Sequence, residues 1–126
     1  MSALVLEQEL DRLESLWSDG LADTYHSYLE AAPTMDADLR PRLALAAALV
    51  EVGVRLQGLG GPAAPAPALL MGDLCLARSS RILTDSASKA VQIAFARAVE
   101  DLSSAAASNQ DAPPVRDLLV RALAAR

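Results

Sequence analysis

Aromatic residues and cysteine are scarce in this sequence of 126 residues. Aromatic residues make up 3% of the chain although 52% of it is hydrophobic, so the apolar mass consists mainly of alanine, leucine and valine. Alanine and leucine favour helices, and alanine lets neighbouring helices approach closely. The single cysteine excludes an intrachain disulfide, and together with the single histidine it excludes the usual zinc sites. The composition therefore predicts a helical core without either kind of cross-link.

Positive charge and long apolar runs are also in short supply. The formal net charge is −5, and no basic stripe is present that could neutralise phosphates, so nucleic acid is not an expected partner. The longest apolar run, residues 43–50, ends at Glu51 and is much shorter than the roughly 20 residues of a membrane-spanning helix. The start of the chain lacks a basic segment followed by an apolar one, so we expect no secretory signal. These features predict a soluble, cytoplasmic protein without an integral membrane segment.

The spacing of apolar residues predicts an all-α protein, with one domain over residues 1–126 that folds as a single bundle of about five helices. The first helix is marked by apolar residues at intervals of three and four, namely Leu6, Leu10, Leu13 and Trp17. Ser2 is its expected N-cap. Residues 18–20 can end or bend this helix before the pattern resumes and runs to residue 32.

Four further helices are expected. The second begins at residues 36–38, where an acid can cap it, has Pro41 in its first turn and ends near residue 58. After a loop rich in glycine and proline, the third helix spans residues 68–83. Residues 84–86 form a turn and cap for the fourth helix at 87–107, and the last helix covers 115–125. The apolar stripe of the fourth helix comprises Val91, Ala94, Phe95, Ala98, Val99 and Leu102.

Few residues suggest catalysis. His26 lies within a helix, where an ordinary surface or core histidine is the better interpretation than a catalytic base. Cys75 lies in the apolar third helix and fits a small core residue. Asp36 and Asp38 could hold a divalent cation, but without a third carboxylate nearby helix capping explains them better.

The third helix carries an acid in an almost wholly apolar segment. Such a helix is expected to be buried on more than one side, and a buried carboxylate at Asp73 is costly unless it is paired. Arg78 follows after five residues, whereas an intrahelical ion pair needs a spacing of three or four. Two interpretations remain open. Either Asp73 caps the helix and Arg78 faces solvent, or both contact groups on other helices or on another chain.

Three segments, in order, resemble the trans-polyprenyl diphosphate synthases. ALLMGDLCLARSSRIL at residues 68–83 resembles a family helix with the pattern A-x-L-x-G-D-x-L-L-A-R-A-x-x-x-L. LRPRLALAAALVEVG at 39–53 resembles the early Leu-Arg-Pro helix, and AFARAVEDLSSA at 94–105 resembles a later helix. The resemblance covers residues 28–105 and implies a truncated isoprenoid synthase fold.

The chain departs from this family at the positions that carry its chemistry. Ala37 and Asp38 stand where the family has the lysine and arginine that hold the diphosphate of isopentenyl diphosphate, and an acid there would repel it. The segment VRLQGLGGPAAPAPA, where the first Asp-rich motif belongs, contains no acid. In the family that motif binds the magnesium ions that assist ionisation of the allylic substrate. The second Asp-rich motif has no counterpart in these 126 residues.

The chain therefore resembles the small, non-catalytic subunit of heterodimeric prenyl synthases, as in hexaprenyl or heptaprenyl diphosphate synthase component 1. The resemblance implies a catalytic large subunit as partner, which would hold Mg²⁺ and the diphosphate substrates, while this chain binds no cofactor. It also implies that the chain helps to set product length, typically for a menaquinone side chain. In the family the Gly-Asp helix and the helix after it form the dimer contact beside the product tunnel. The residues expected at this interface or tunnel are Met71, Gly72, Asp73, Leu74, Arg78 and Ile82. The alternative is a helical interaction or scaffold domain unrelated to prenyl transfer.

Overall fold

The computed structural model describes residues 15–32, 35–58, 64–108, 110 and 114–126. Within these ranges the chain forms five α-helices and no strand, which confirms the predicted all-α bundle. The helices are α1 (Ala22–Ala31), α2 (Leu39–Gln57), α3 (Ala66–Ser86), α4 (Lys89–Ala107) and α5 (Val115–Leu123). The part of the predicted first helix that precedes residue 15, with its expected cap at Ser2, lies outside the described residues, as do parts of the loop after α2 and of the segment between α4 and α5. No helix of the described part combines the length and the apolar character needed to cross a bilayer.

A wide turn bends the chain just before α1. Trp17–Leu21 form a π-type turn in which Gly20 has a φ angle of 134°. Glycine adopts a positive φ without the penalty that a Cβ brings. The hydroxyl of Thr24 donates to the carbonyl oxygen of Gly20 at 3.1 Å. Residues 18–20 were expected either to end the first helix or to bend it. The structure shows a bend, after which the helix continues as α1.

The second helix, α2, is the central element of the bundle. It packs against α1, α3 and α5, and every residue from 43 to 54 except Leu45 is buried. An acid was expected to cap it at residues 36–38. Asp38 occupies the cap position, and the carboxylate of Asp36 accepts the backbone N–H of Asp38 at 3.2 Å. The side chain of Asp38 makes no capping bond. Gly58 ends the helix in the left-handed conformation, with a φ angle of 63°.

The third helix is longer than predicted. It begins at Ala66, with Pro67 in its first turn, and continues to Ser86. The prediction that residues 84–86 form a turn and cap was wrong, because they belong to the last turn of α3. The cap of α4 is Ser88, whose side-chain oxygen accepts the backbone N–H of Val91 at 3.2 Å. Serine, threonine and aspartate occur together at 84–88, and their identities alone did not show which one caps.

The prediction that α3 is buried on more than one side was also wrong for this chain by itself. Its buried residues form one stripe, which comprises Gly72, Cys75, Ser79 and Leu83. Leu69 and Leu70 are 41% and 60% exposed. The reason is that α3 packs closely against α2 but has only sparse contacts with α4. The apolar composition of α3 predicted that the helix is buried, but it did not show how many other helices pack against it.

The last two helices form a pair. In α4 the buried residues are Val91, Phe95, Ala98 and Leu102, as the apolar stripe predicts. This stripe packs mainly on α5, which in turn contacts α2 and α1. Leu119, Ala122 and Leu123 are the buried residues of α5, which ends two residues before its predicted end. The short helix α5 thus connects α4 to the rest of the bundle.

Candidate functional site

The buried stripe of α3 is shaped to cross α2 at close range. A Cβ atom on Gly72 would lie 2.9 Å from the carbonyl oxygen of Gly53, and a Cβ on Gly53 would lie 3.1 Å from the carbonyl oxygen of Gly72. Ser79 lies seven residues after Gly72 in α3, and its hydroxyl donates at 2.8 Å to the carbonyl oxygen of Ala46, which lies seven residues before Gly53 in α2. The two helices are therefore antiparallel. Gly72 was expected at an interface with a partner, but the backbone that it admits belongs to a helix of this same chain.

The acid in the apolar helix contacts α2. Asp73 is exposed, and its carboxylate accepts a hydrogen bond of 2.6 Å from the side-chain amide of Gln57. It lies in the middle of the first half of α3, well past the helix start, so it does not cap the helix. For Asp73, the interpretation in which it meets a group on another helix is the one observed. Arg78 is half-buried.

The other residues predicted at an interface form a separate stripe on α3. Met71, Leu74, Arg78 and Ile82 follow one another at intervals of three and four, so they lie along one side of the helix. All four are half-buried, and Ile82 also packs against the core. We call these four residues the lateral stripe. It presents three apolar side chains and one cation that the crossing with α2 leaves partly exposed.

A groove of about 400 Å³ lies between α3 and α4. Its apolar lining comes from three helices and includes Val50, Leu76, Leu83, Phe95 and Val99, while the hydroxyl and amide groups are those of Ser79, Ser80, Thr84 and Gln92. None of the six predicted interface residues lines it. The groove exists because α3 and α4 diverge instead of packing along their length. Its size and lining suit an apolar side chain or a small apolar molecule.

A buried carboxylate joins three helices on the far side of α2. Glu51 is 7% exposed. Its Oε1 accepts from the Tyr28 hydroxyl at 2.9 Å, and its Oε2 accepts from Nη2 of Arg55 and from Nη2 of Arg116, each at 2.9 Å. The guanidinium carbon of Arg116 also lies 5.4 Å from the centre of the Tyr28 ring. We call these four residues the Glu51 cluster, and it ties α1, α2 and α5 together.

The pKa values of Tyr28, Arg116 and Cys75 are raised by their surroundings. Burial, and then the neighbouring Glu51 carboxylate, raise the pKa of Tyr28 well above its usual range. The hydrogen bond to Glu51 raises the pKa of Arg116, and burial raises the pKa of the Cys75 thiol to about 11. Tyr28 and Cys75 therefore stay protonated at neutral pH, which suits structural roles better than proton transfer. Among the described residues, no three His, Cys, Asp or Glu side chains lie close enough together to hold a metal ion.

The Glu51 cluster was missed in the sequence. Glu51 interrupts an apolar segment just as Asp73 does, and Arg55 follows it at the spacing of an intrahelical ion pair. The sequence therefore contained a signal for these two of the four residues. Tyr28 and Arg116 are distant in sequence, and no local pattern connects them to Glu51. In the sequence Glu51 was considered only as the end of an apolar run, so its burial as a charged residue was not predicted.

Comparison of the chain with protein-family models, with known proteins and with solved structures finds no match. The resemblance to prenyl diphosphate synthases thus rests on residues 39–53, 68–83 and 94–105 of the sequence alone. The family and the function stay predictions.

Proposed function

We propose that this chain is a non-catalytic subunit of a heteromeric medium- or long-chain prenyl diphosphate synthase. In this role it binds a catalytic large subunit in the cytoplasm and helps to set product length, for example for a menaquinone side chain. The observation that carries the proposal is the division of α3 into two sides. One stripe holds α2, whereas the lateral stripe stays partly exposed in the segment that resembles the dimer helix of these enzymes.

The lateral stripe has the chemistry of a helix that packs on a partner. Met71, Leu74 and Ile82 supply apolar surface at helical spacing, and burial of such surface is the main favourable contribution to association. Leu70, 60% exposed, adds to the apolar area on the solvent side of α3. Arg78 lies between Leu74 and Ile82, where a charge fixes the register of an otherwise apolar contact.

The reaction is assigned to the partner, because this sequence lacks the Asp-rich motifs whose carboxylates hold magnesium in the prenyl synthases. The residues present do not fit a magnesium site of that kind, since the segment from Val54 to Ala68 contains no carboxylate. Magnesium supplies charge stabilisation for the departing diphosphate. The contribution of this chain is a surface that binds the catalytic subunit and shapes the space beside it.

The lateral stripe is tested by a charge substitution. Leu74→Glu places a carboxylate in the proposed contact, where an unpaired buried charge costs about 3–5 kcal/mol, so the variant should stay helical but no longer co-elute with the co-expressed large subunit. Leu69→Glu is the matched control. Leu69 is 41% exposed and lies about 140° around the helix from Leu74, so that variant should still co-elute. Normal co-elution of a helical Leu74→Glu variant would place the interface elsewhere.

The alternative of a scaffold domain unrelated to prenyl transfer would use the same kind of surface. It differs in one measurable outcome. Under the alternative, adding this chain to a prenyl synthase homologue from the same source changes neither its activity nor its product length. Under our proposal, both depend on this chain.

A further inference from the structure

A second cleft, of about 560 Å³, lies between the end of α2 and the start of α5. It is lined by Glu51, Arg55, Arg116 and the residues Val54, Gly58, Pro114 and Val115. The two arginines therefore face the same space from two different helices. This cleft is distinct from the lateral stripe of α3 and from the groove between α3 and α4, with which it shares no lining residue.

Among the described residues that line this cleft, positive charge exceeds negative charge. Both guanidinium groups donate to one oxygen, Oε2 of Glu51, so two cations share a single carboxylate and the cluster carries one excess positive charge. The side chain of Glu51 is 8% exposed, whereas those of Arg55 and Arg116 are 63% and 46% exposed. The anion is thus buried and the cations reach the open side of the cleft. A guanidinium group has five N–H donors, and the bond from Nη2 uses one of them.

The partial charges at the two helix ends beside the cleft have opposite signs and offset one another. The start of α5 contributes a partial positive charge, and the end of α2, where Gly58 lies, contributes a partial negative one. Asp117 in the first turn of α5 is exposed and does not line the cleft. The attraction for an anion therefore comes from the arginine pair.

We propose that the cleft between Arg55 and Arg116 binds a phosphate-type oxyanion. Phosphate offers several acceptor oxygens and more than one negative charge, so it can bridge two guanidinium groups that already share a carboxylate. A monocarboxylate has one charge and two oxygens and matches this arrangement less well. Two like charges held close together repel one another, and an anion placed between them removes that repulsion. This binding site is independent of the proposed role in prenyl transfer.

The test uses the full chain and inorganic phosphate as the probe. Titration calorimetry at constant ionic strength should show binding of phosphate by the unaltered protein and much weaker binding of acetate. Arg55→Gln should weaken phosphate binding by about tenfold, because it removes one charged donor while Arg116 and Tyr28 still contact Glu51. The matched control is Arg97→Gln, an exposed arginine on α4 that does not line the cleft and whose loss should leave the affinity unchanged.

A second measurement does not depend on the folding of any variant. In the unaltered protein, phosphate should shift the ¹⁵N resonances of the Arg55 and Arg116 side chains and leave that of Arg97 in place. Absence of phosphate binding at millimolar concentration overturns the proposal, as does equal affinity of Arg55→Gln and the unaltered protein. Shifts spread equally over all three arginines would mean that phosphate associates with surface charge only, which also overturns it.

Discussion

At the scale of single residues, Cys75 shows how burial sets chemical behaviour. Its side chain has no exposed surface and lies at the crossing of α2 and α3, where a Cβ on Gly53 would come 3.2 Å from its own Cβ. Burial disfavours the thiolate and raises the pKa of the thiol to about 11, from an ordinary value of 9.0. Since the thiolate is the reactive form, this cysteine should react slowly with alkylating reagents until the protein unfolds.

The raised pKa of Cys75 also predicts a loss of stability in alkaline solution. The folded pKa exceeds the unfolded one, so the stability that the neutral thiol contributes is complete below about pH 9 and is lost as the pH rises through about 11. We expect the free energy of unfolding to fall over this range by on the order of 2 kcal/mol more in the unaltered protein than in Cys75→Ala. Urea denaturation of both proteins from pH 8 to 11 measures it. Any contribution of Tyr28 to the pH dependence is the same in both proteins and cancels in the comparison. If the free energy of unfolding falls with pH equally in both proteins, the prediction is contradicted.

At the scale of the helices, the crossing of α2 and α3 depends on two glycines. A methyl group at Gly72 would lie 2.5 Å from Cγ of Gln57 and 2.9 Å from the carbonyl oxygen of Gly53. The Gln57 side chain can move, but the backbone of α2 can do so only if the helices separate. The hydrogen bonds from Gln57 to Asp73 and from Ser79 to Ala46 depend on the same close approach.

Gly72→Ala should therefore destabilise the protein, even though alanine is the better helix former. Overpacking costs about 1–3 kcal/mol, which exceeds the gain of up to about 1 kcal/mol in helix propensity. The control is Ala77→Gly at an exposed position of α3, which should lower the stability by about 1 kcal/mol through propensity alone. Thermal and urea unfolding give both values. An increase in stability for Gly72→Ala would show that the backbones of α2 and α3 leave room for a methyl group.

At the scale of the whole molecule, the Glu51 cluster decides how α4 and α5 are held. Because α4 has few contacts with α3, its position depends on α5, and Arg116 binds the start of α5 to Glu51 and Tyr28. The remaining attachment of α5 is apolar, through Leu119, Ala122 and Leu123. Loss of Arg116 should loosen the α4–α5 pair more than the rest of the bundle.

Arg116→Ala is expected to speed hydrogen exchange in α5 and α4, with smaller changes in α2 and α3. The loss of stability should be about 1 kcal/mol, since the guanidinium is 46% exposed and water partly replaces its contact. Arg121→Ala is the matched control, because Arg121 is an exposed arginine on the same helix whose Nε donates to a backbone carbonyl of that helix, the one of Asp117. Equal exchange in the two variants would show that the Glu51 cluster does not hold the pair.

The proposed division of labour between two subunits also makes a prediction at this scale. With magnesium, isopentenyl diphosphate and farnesyl diphosphate, the purified chain should leave both substrates unchanged. The double variant Ala37→Lys, Asp38→Arg restores the cations of the family motif and should still make no product alone, because binding of the ground state does not replace stabilisation of the transition state. Mixed with the large subunit, it should be nearly as active as the unaltered chain. A large loss of activity with the complex intact would mean that residues 37 and 38 belong to a shared site.

The sequence by itself determined the helical class and most of the helix positions. Apolar spacing predicted the buried stripe of α4, and Gly58 marked the end of α2, because periodicity and backbone conformation are local properties. The residues of the lateral stripe were expected at an interface through the resemblance to prenyl synthases, and the spacing alone did not single them out. Local rules were less certain where several capping residues stood together, as at the boundary between α3 and α4.

Only the tertiary structure decided which apolar faces are covered and which polar groups meet. It showed that α2 is the central helix, and that Gly72 serves a crossing within the chain. It also brought Tyr28 and Arg116 to Glu51 across 23 and 65 residues of sequence. The physical reason is that burial and ion pairing depend on the arrangement of all the helices, and the local sequence of one helix does not contain that arrangement.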